Sequence, residues 1–548
     1  MKRASRFHLG LAIAWGVAVA TLSVAQTVLP TALRVETVVS GLSSPTAMAF
    51  LGPNDILVTQ KNDGRVRRVI AGVLQSSAVL DVAVNTESER GLLGIALDPD
   101  FDHNGQVFIF YTEASGVDNG TALGNRVYRY TWNGSALVAP QLVVGLPADL
   151  GPNHNGGVIL FGPDDRLYVV IGDLNRDGKL QNDPVGPAPD DTSVILRVDR
   201  AGRGPVDNPF HDPANAQSAA NLYYAYGVRN SFGLAFDPVT AALWDTENGP
   251  DTMDEVNRVP AGFNSGWRPL MGPDSRSSAS ESDLWVAPGS TYSDPEFSWS
   301  VPVAPTALAF VASRRLGCAL EHRLLVGNVN CGSVQRFELD AARTRLAFGS
   351  TELQDLVADN SDTCGGEQSE IAFGSGFGLV TDIENGADGF VYVLSLTRSA
   401  IYRIRPQTTI AGDLDGDLVP GACDCDDATP GAWAAPTELR QLRVSSGAEL
   451  QLGWDDQGGT AGAGTTYTVI SGSLLELRSA GDFGDACTLG ADLGVRTATD
   501  SRPDPPQGNA YYYLVRAGNA CAASTYGDST LLPDPRDNLD ASTPPPCS

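Results

Sequence analysis

One histidine, His154, stands in "GPNHNGG", directly ahead of the strand-like run "VILFGPDDRLYVVIGD", in a chain of 548 residues that holds five histidines. An imidazole titrates near neutral pH, so a histidine in a polar, glycine-rich loop is either a general base or a polar turn residue. Three further stretches carry polar side chains in loop-like settings. They are "ESERGLLGIALDPDF" with Glu89, "YAYGVRNSFGLAFDP" with Arg229 and Asn230, and "TENGPDTMDEVNRVPAGFNSGW" with Asn248, Asp254 and Glu255. Singly, each is a weak signal. An Arg-Asn pair can simply hold a loop, and Asp254 and Glu255 read equally well as capping or surface acids.

The elements that would position these residues repeat. Six times between residues 36 and 405 an apolar strand enters a Pro/Asp/Gly turn and a second apolar strand leaves it, often with a later strand ending in Arg. Short strands joined by tight turns, recurring every few tens of residues, are units that cannot bury both faces alone. The expected fold is therefore all-β: a six-bladed β-propeller over 27–410, with a pair of β-sandwiches as the structural competitor. In a propeller the polar loops gather at the mouth of a central channel.

Other segments frame this unit. Residues 1–26 combine Lys2, Arg3 and Arg6 with the apolar run "LGLAIAWGVAVATLSV" and small residues near Ala25, the pattern of a signal peptide; a membrane anchor is its alternative. The expected location is secreted or periplasmic, and eight cysteines then favour disulfides. Cys318 with Cys331 across a hairpin, and Cys487 with Cys521 across a strand pair, are the expected partners. Cys423 and Cys425 are too close to bridge each other. The formal net charge of −28 argues against nucleic acid or an anionic membrane as partner.

Residues 411–433 form an acidic linker in which Asp413, Asp415 and Asp417 alternate and Asp424 follows eleven residues after Asp413. This spacing is similar to an EF-hand calcium loop, with Leu418 where the sharp turn favours glycine and an aspartate in the last ligand position. A merely solvated acidic linker is the competing reading. Residues 434–535 read as a small fibronectin type III-like β-sandwich around Trp454 and the Tyr511–Tyr513 strand, a module that would bind a surface or polymer or act as a spacer. Residues 536–548 read as a flexible tail unless Cys547 ties it down.

Together, the order and spacing of the four polar stretches resemble the glucose and aldose sugar dehydrogenases of the glucose/sorbosone dehydrogenase family. The resemblance spans roughly residues 35 to 405. It implies a six-bladed propeller that uses pyrroloquinoline quinone (PQQ) and calcium to oxidise the anomeric alcohol of a sugar. It further implies that His154 is the base, that Arg229 and Asn230 line the substrate and quinone, and that Gly249 and Pro250 offer backbone carbonyls to calcium. Glu255, and beside it Asp254, resemble the carboxylate ligands of a second, structural calcium in some members. The electron acceptor is not implied.

The chain departs from the family pattern at the cofactor. Glu89 and Asn248 replace glutamines, Asn153 replaces an aspartate, and Asn330 falls where a lysine grips a PQQ carboxylate. Leu379 and Thr381 fall on two arginine positions, for which Arg314, Arg315, Arg323 or Arg398 are candidate substitutes. Two other functions therefore stand beside the dehydrogenase. One is a catalytically reduced propeller that binds glycan or protein. The other is a calcium-dependent lactonase built on Glu89, Asn153 and Asn155.

Overall fold

The computed structural model describes residues 25–360, 363–407, 410, 412–439, 441–445, 449–527, 534 and 536–547. All but two residues of the expected leader lie outside this set. Among the described residues no helix is long and apolar enough to cross a membrane.

The chain is nearly all β, and the repeat becomes six antiparallel blades. Inner strands are Pro45–Gly52, Leu92–Leu97, Ile159–Phe161, Ser231–Phe236, Pro305–Phe310 and Val380–Asn385. Each pairs outward with a second strand: Asp55–Gln60, Gln106–Ala114, Leu167–Ile171, Leu243–Glu247, Leu324–Asn328 and Val391–Ser395. These second strands explain the near-continuous apolar runs. Leu167–Ile171 and Val391–Ser395 are buried at every position, because a neighbouring blade covers each face. At about 1.5–3 kcal/mol for each buried aliphatic side chain, the interfaces between blades are the main source of stability.

Two glycines set how closely blades approach. A Cβ on Gly94 would lie 2.1 Å from the Gly157 carbonyl oxygen, and one on Gly233 2.1 Å from that of Thr306. The ring closes through the N-terminus. Leu33–Ser40 forms the outer strand of the sixth blade against Ala400–Pro406, and Thr27–Val28 the outer strand of the fifth against Ala372–Ser375. One core cluster spans the fifth, sixth and first blades, joining Leu325, Val393 and Val58.

Beyond the ring, residues 443–518 form two three-stranded sheets around Leu452, Trp454, Tyr467, Val469 and Val515. This module sits on the face opposite the channel mouth. Arg496 pairs with Asp102, Arg443 with Asp165 at 3.4 Å, and Gln441 Nε2 donates to the Pro163 carbonyl at 2.5 Å. All three partners lie in turns that follow inner strands.

The disulfides are Cys318–Cys423, Cys331–Cys364, Cys425–Cys521 and Cys487–Cys547. They correct both expected pairings. Cys318 and Cys331 lie at opposite ends of Leu324–Asn328, and five residues of strand span roughly 16 Å, beyond the reach of a disulfide. Cys487 and Cys521 are separated by the intervening strand Thr466–Ser473. The tail is tied down: Cys547 bridges Cys487 and its N–H donates to the Thr488 carbonyl at 2.9 Å.

Candidate functional site

His154 takes a left-handed backbone conformation, φ 60°, just before the third inner strand. Its N–H donates to Glu89 Oε2 at 2.5 Å, which fixes the loop to the second blade. Its Nδ1 lies 2.6 Å from Asp173 Oδ1. Asp173 stands just after the second strand of the same blade and is 3 % exposed. The other oxygen of Asp173 accepts from Trp267 Nε1 at 2.7 Å, and the backbone N–H of Asn175 donates to Oδ1 at 2.7 Å. A carboxylate so held accepts the Nδ1 proton and leaves the lone pair on Nε2, the tautomer a general base requires.

Arg229 and Asn230 lead into the fourth inner strand. The Arg229 N–H donates to Glu247 Oε2 at 2.7 Å, its Nη1 donates to the Asn248 carbonyl at 2.6 Å, and its guanidinium lies over the Trp267 ring, 5.1 Å from the centroid. Trp267 thus touches both the acid behind His154 and the arginine beside it. Burial pushes the Arg229 pKa down, partly offset by the surrounding acids. Asn230 is 4 % exposed, its Nδ2 lies 3.4 Å from both oxygens of Glu89, and its Oδ1 is buried without a hydrogen-bond partner. Glu89 is therefore the hub that ties the second, third and fourth blades.

The remaining sequence candidates divide. Asn153 Oδ1 accepts from Ser88 Oγ, and Asn248 Nδ2 donates to the Pro305 carbonyl at 2.8 Å, so both secure mouth loops. Asn330 is in the fifth blade's mouth turn, with its Nδ2 donating to the Pro302 carbonyl at 2.9 Å. Asp254 accepts from the N–H of Gly249 at 2.8 Å and of Ala304 at 2.7 Å, clamping the Gly249–Pro250 turn. Burial raises its pKa to about 6. A Cβ at Gly249 would meet the Thr252 carbonyl oxygen at 2.0 Å, so this turn requires glycine. Glu255 accepts from the Gly272 N–H and from Asn257 Nδ2, and burial beside Glu247 holds its pKa well above the usual carboxylate range. Among the described residues, carboxylates converge as a metal-type cluster in the linker and not at Asp254 and Glu255.

The central channel encloses about 490 Å³ and is mostly apolar. It runs from Lys61, Ser88 and Glu89 at the mouth to Ala312, Pro238 and Asn385 at the base, and Leu379, Thr381 and Asp382 line it. His154, Arg229 and Asn230 do not line it; they meet it through Glu89. The sequence reading missed Asp173, Trp267 and Lys61. The signal for Asp173 was an acid at the end of "LYVVIGD", and for Lys61 a lone cation in the first blade's mouth turn "KNDG". Lys61 Nζ donates to the Ser88 carbonyl at 2.7 Å, and burial lowers its pKa against the pull of Glu89.

Residues 42–403 match the family model for glucose/sorbosone dehydrogenase. The chain is 31 % identical over 376 residues to an uncharacterized protein of Synechocystis, covering 65 % of this chain and 82 % of that one. It is 30 % identical over 257 residues to quinoprotein glucose dehydrogenase B of Acinetobacter calcoaceticus, covering 43 % of this chain and only 52 % of the relative. A solved structure of a putative oxidoreductase (glucose dehydrogenase) from Thermus thermophilus superposes with a TM-score of 0.53 at 30 % identity, covering 68 % of this chain and 99 % of that one.

Proposed function

Since the chain belongs to the glucose/sorbosone dehydrogenase family, we propose that it is an exported, PQQ-dependent dehydrogenase that oxidises the anomeric alcohol of an aldose. The observation that carries this reading is the Asp173–His154 pair, braced by Trp267, at the mouth of the propeller. His154 Nε2 takes the proton of the C1 hydroxyl, and Asp173 stabilises the imidazolium that results. PQQ, when bound, supplies the acceptor for the C1 hydride.

The residues at the mouth fit such a group. Arg229 offers a guanidinium fixed by Trp267 and the Asn248 carbonyl, suited to negative charge developing on a quinone oxygen. The partnerless, buried Oδ1 of Asn230 adds an acceptor for a ligand hydroxyl. The Gly249–Pro250 turn, clamped by Asp254, offers backbone oxygens of the hard type that calcium prefers. PQQ is a tricarboxylate, and the anchoring cations here differ from the family's. Lys61 in the first blade and Arg398 in the sixth occupy mouth turns, in place of cations at Asn330, Leu379 and Thr381. Four disulfides support an oxidising compartment.

Purified protein supplied with PQQ and calcium should reduce a dye with at least one aldose from a panel. No turnover on any sugar, together with no change in the quinone spectrum on adding protein, overturns the proposal. Lys61→Met should weaken quinone binding in an absorbance titration without sugar, which tests the anchor separately from catalysis.

A further inference from the structure

The linker between propeller and C-terminal module holds the densest carboxylate cluster in the described structure. One oxygen each from Asp415, Asp417 and Asp424 lie within 4.8 Å of one another, and the same is true of Asp413, Asp415 and Asp427. Asp415 belongs to both triads. Within the first, every Oδ1 caps a turn: Asp415 accepts from the Asp417 N–H at 3.0 Å, Asp417 from Val419 at 2.9 Å, and Asp424 from Asp426 at 2.8 Å. Every Oδ2 of that triad is buried with no hydrogen-bond partner. Asp417 is only 9 % exposed, so its free oxygen cannot rely on bulk water. A buried carboxylate oxygen without a donor is destabilising, and three carboxylates this close together compound that through repulsion.

The loop is also shaped for a cation. Leu418, where an EF-hand-type turn favours glycine, does adopt a left-handed conformation at φ 73°. The donors are all oxygens. The flanking thiols are committed to disulfides and cannot recruit a soft metal. Those disulfides say what the loop joins. Cys423 reaches Cys318 in the fifth blade, Cys425 reaches Cys521 in the C-terminal module, and Asp424 sits between them. Arg315 adds a third tie: its guanidinium lies 4.2 Å from the Phe390 ring centroid and 4.8 Å from that of Trp433, and it donates to the Asp417 carbonyl.

We propose that the linker is a calcium site, one ion held by Asp415, Asp417 and Asp424, which locks the C-terminal module onto the base of the propeller. Calcium suits all-carboxylate and carbonyl donors in a loop rather than a rigid octahedral cage. The site is remote from the mouth and does not depend on the sugar-oxidising reading.

The test is calcium titration calorimetry on the full, metal-stripped chain without quinone, beside terbium luminescence sensitised by Trp433. Trp433 is buried against Val419 and packs with the partly buried Cys423. Asp415→Asn and Asp417→Asn should each lose one ion relative to the parent. Calcium should raise the melting temperature of the parent more than that of Asp415→Asn. Any calcium at the Gly249–Pro250 turn is common to all three proteins and cancels in the difference. Should Asp415→Asn fail to form Cys318–Cys423 and Cys425–Cys521, Asp417→Asn carries the test. Equal stoichiometry in parent and correctly bridged variants, or no uptake by the parent, overturns the proposal.

Discussion

At the mouth, Glu89, Asp173 and Asp254 hand their oxygens to N–H donors in different parts of the ring, whereas in the linker Asp415, Asp417 and Asp424 each keep one buried oxygen with no partner. The residue type is the same and the sequence settings are alike: acids in glycine-containing turns. The difference lies in what the acids have left to give. A satisfied carboxylate positions something else, a histidine ring or a backbone turn. An unsatisfied cluster keeps acceptors free for a cation.

The largest expected effect breaks the first half of this contrast. Asp173→Asn keeps the size of the side chain but can offer its amide N–H to His154 Nδ1, which favours the wrong tautomer. Turnover should fall by roughly 10³–10⁴-fold, by analogy with other acid–histidine pairs, with quinone affinity nearly unchanged. His154→Ala should remove oxidation to the same depth. A loss of less than tenfold in Asp173→Asn would mean that the pair does not set the tautomer.

The second effect probes the linker without touching its acids. Arg315→Ala removes the cation between Phe390 and Trp433 and the donor to the Asp417 carbonyl. The expected cost is about 2–3 kcal/mol from lost cation–π and hydrogen-bond terms, read by urea unfolding with the disulfides intact. A change below about 0.5 kcal/mol, the range of an ordinary surface substitution, would show that the disulfides alone hold the joint.

A third effect concerns an acid that belongs to neither group. Asp382 lines the channel, accepts from the Met48 N–H at 2.7 Å, and has its pKa raised by burial from 3.8 to about 7. The folded chain therefore binds more protons than the unfolded chain between those values. Its contribution is fully present below the unfolded pKa and is lost as pH rises through the folded one. Asp382→Asn keeps an acceptor for Met48 and carries no charge. At pH 8 it should be more stable than the parent by about 2 kcal/mol after screening by channel water, with no gain at pH 4. Equal differences at both pH values would sink the idea.

Much of the architecture was legible because each blade repeats a local pattern. The apolar second strands and the Pro/Asp/Gly turns sit in the sequence where the structure uses them. His154 and Arg229 were singled out by the order and spacing of the four polar stretches, not by either residue alone, and the structure sets both just ahead of inner strands. Asp173, Trp267 and Lys61 were not. Trp267 follows Asp173 by 94 residues and meets it through long mouth insertions that no spacing encodes. The cysteines failed for a similar reason: proximity along the chain favoured Cys318–Cys331, while the ring places those residues on opposite faces. Asp427 escaped because the calcium-loop pattern ends at Asp424, although its carboxylate joins Asp413 and Asp415.

The smallest effect sharpens the contrast at its weakest point, Glu89, whose oxygens accept from His154 and approach Asn230 while its charge faces Lys61. Glutamine keeps one oxygen for the His154 N–H, so the loop should hold and turnover should stay within about threefold, as expected where one hydrogen bond is conserved. The negative charge disappears, which frees Lys61 for a tricarboxylate and removes one repulsion from it. Glu89→Gln should therefore bind PQQ about three- to tenfold more tightly, a change of roughly 1 kcal/mol for one screened charge, and the gain should shrink as salt is added. Lys61→Met should act in the opposite sense, and the double variant should show less than the sum, because the two side chains interact. If Glu89→Gln instead weakens PQQ and slows turnover together, Glu89 acts as more than a positioning acid. It would then share with the linker acids the role of holding a ligand through its charge.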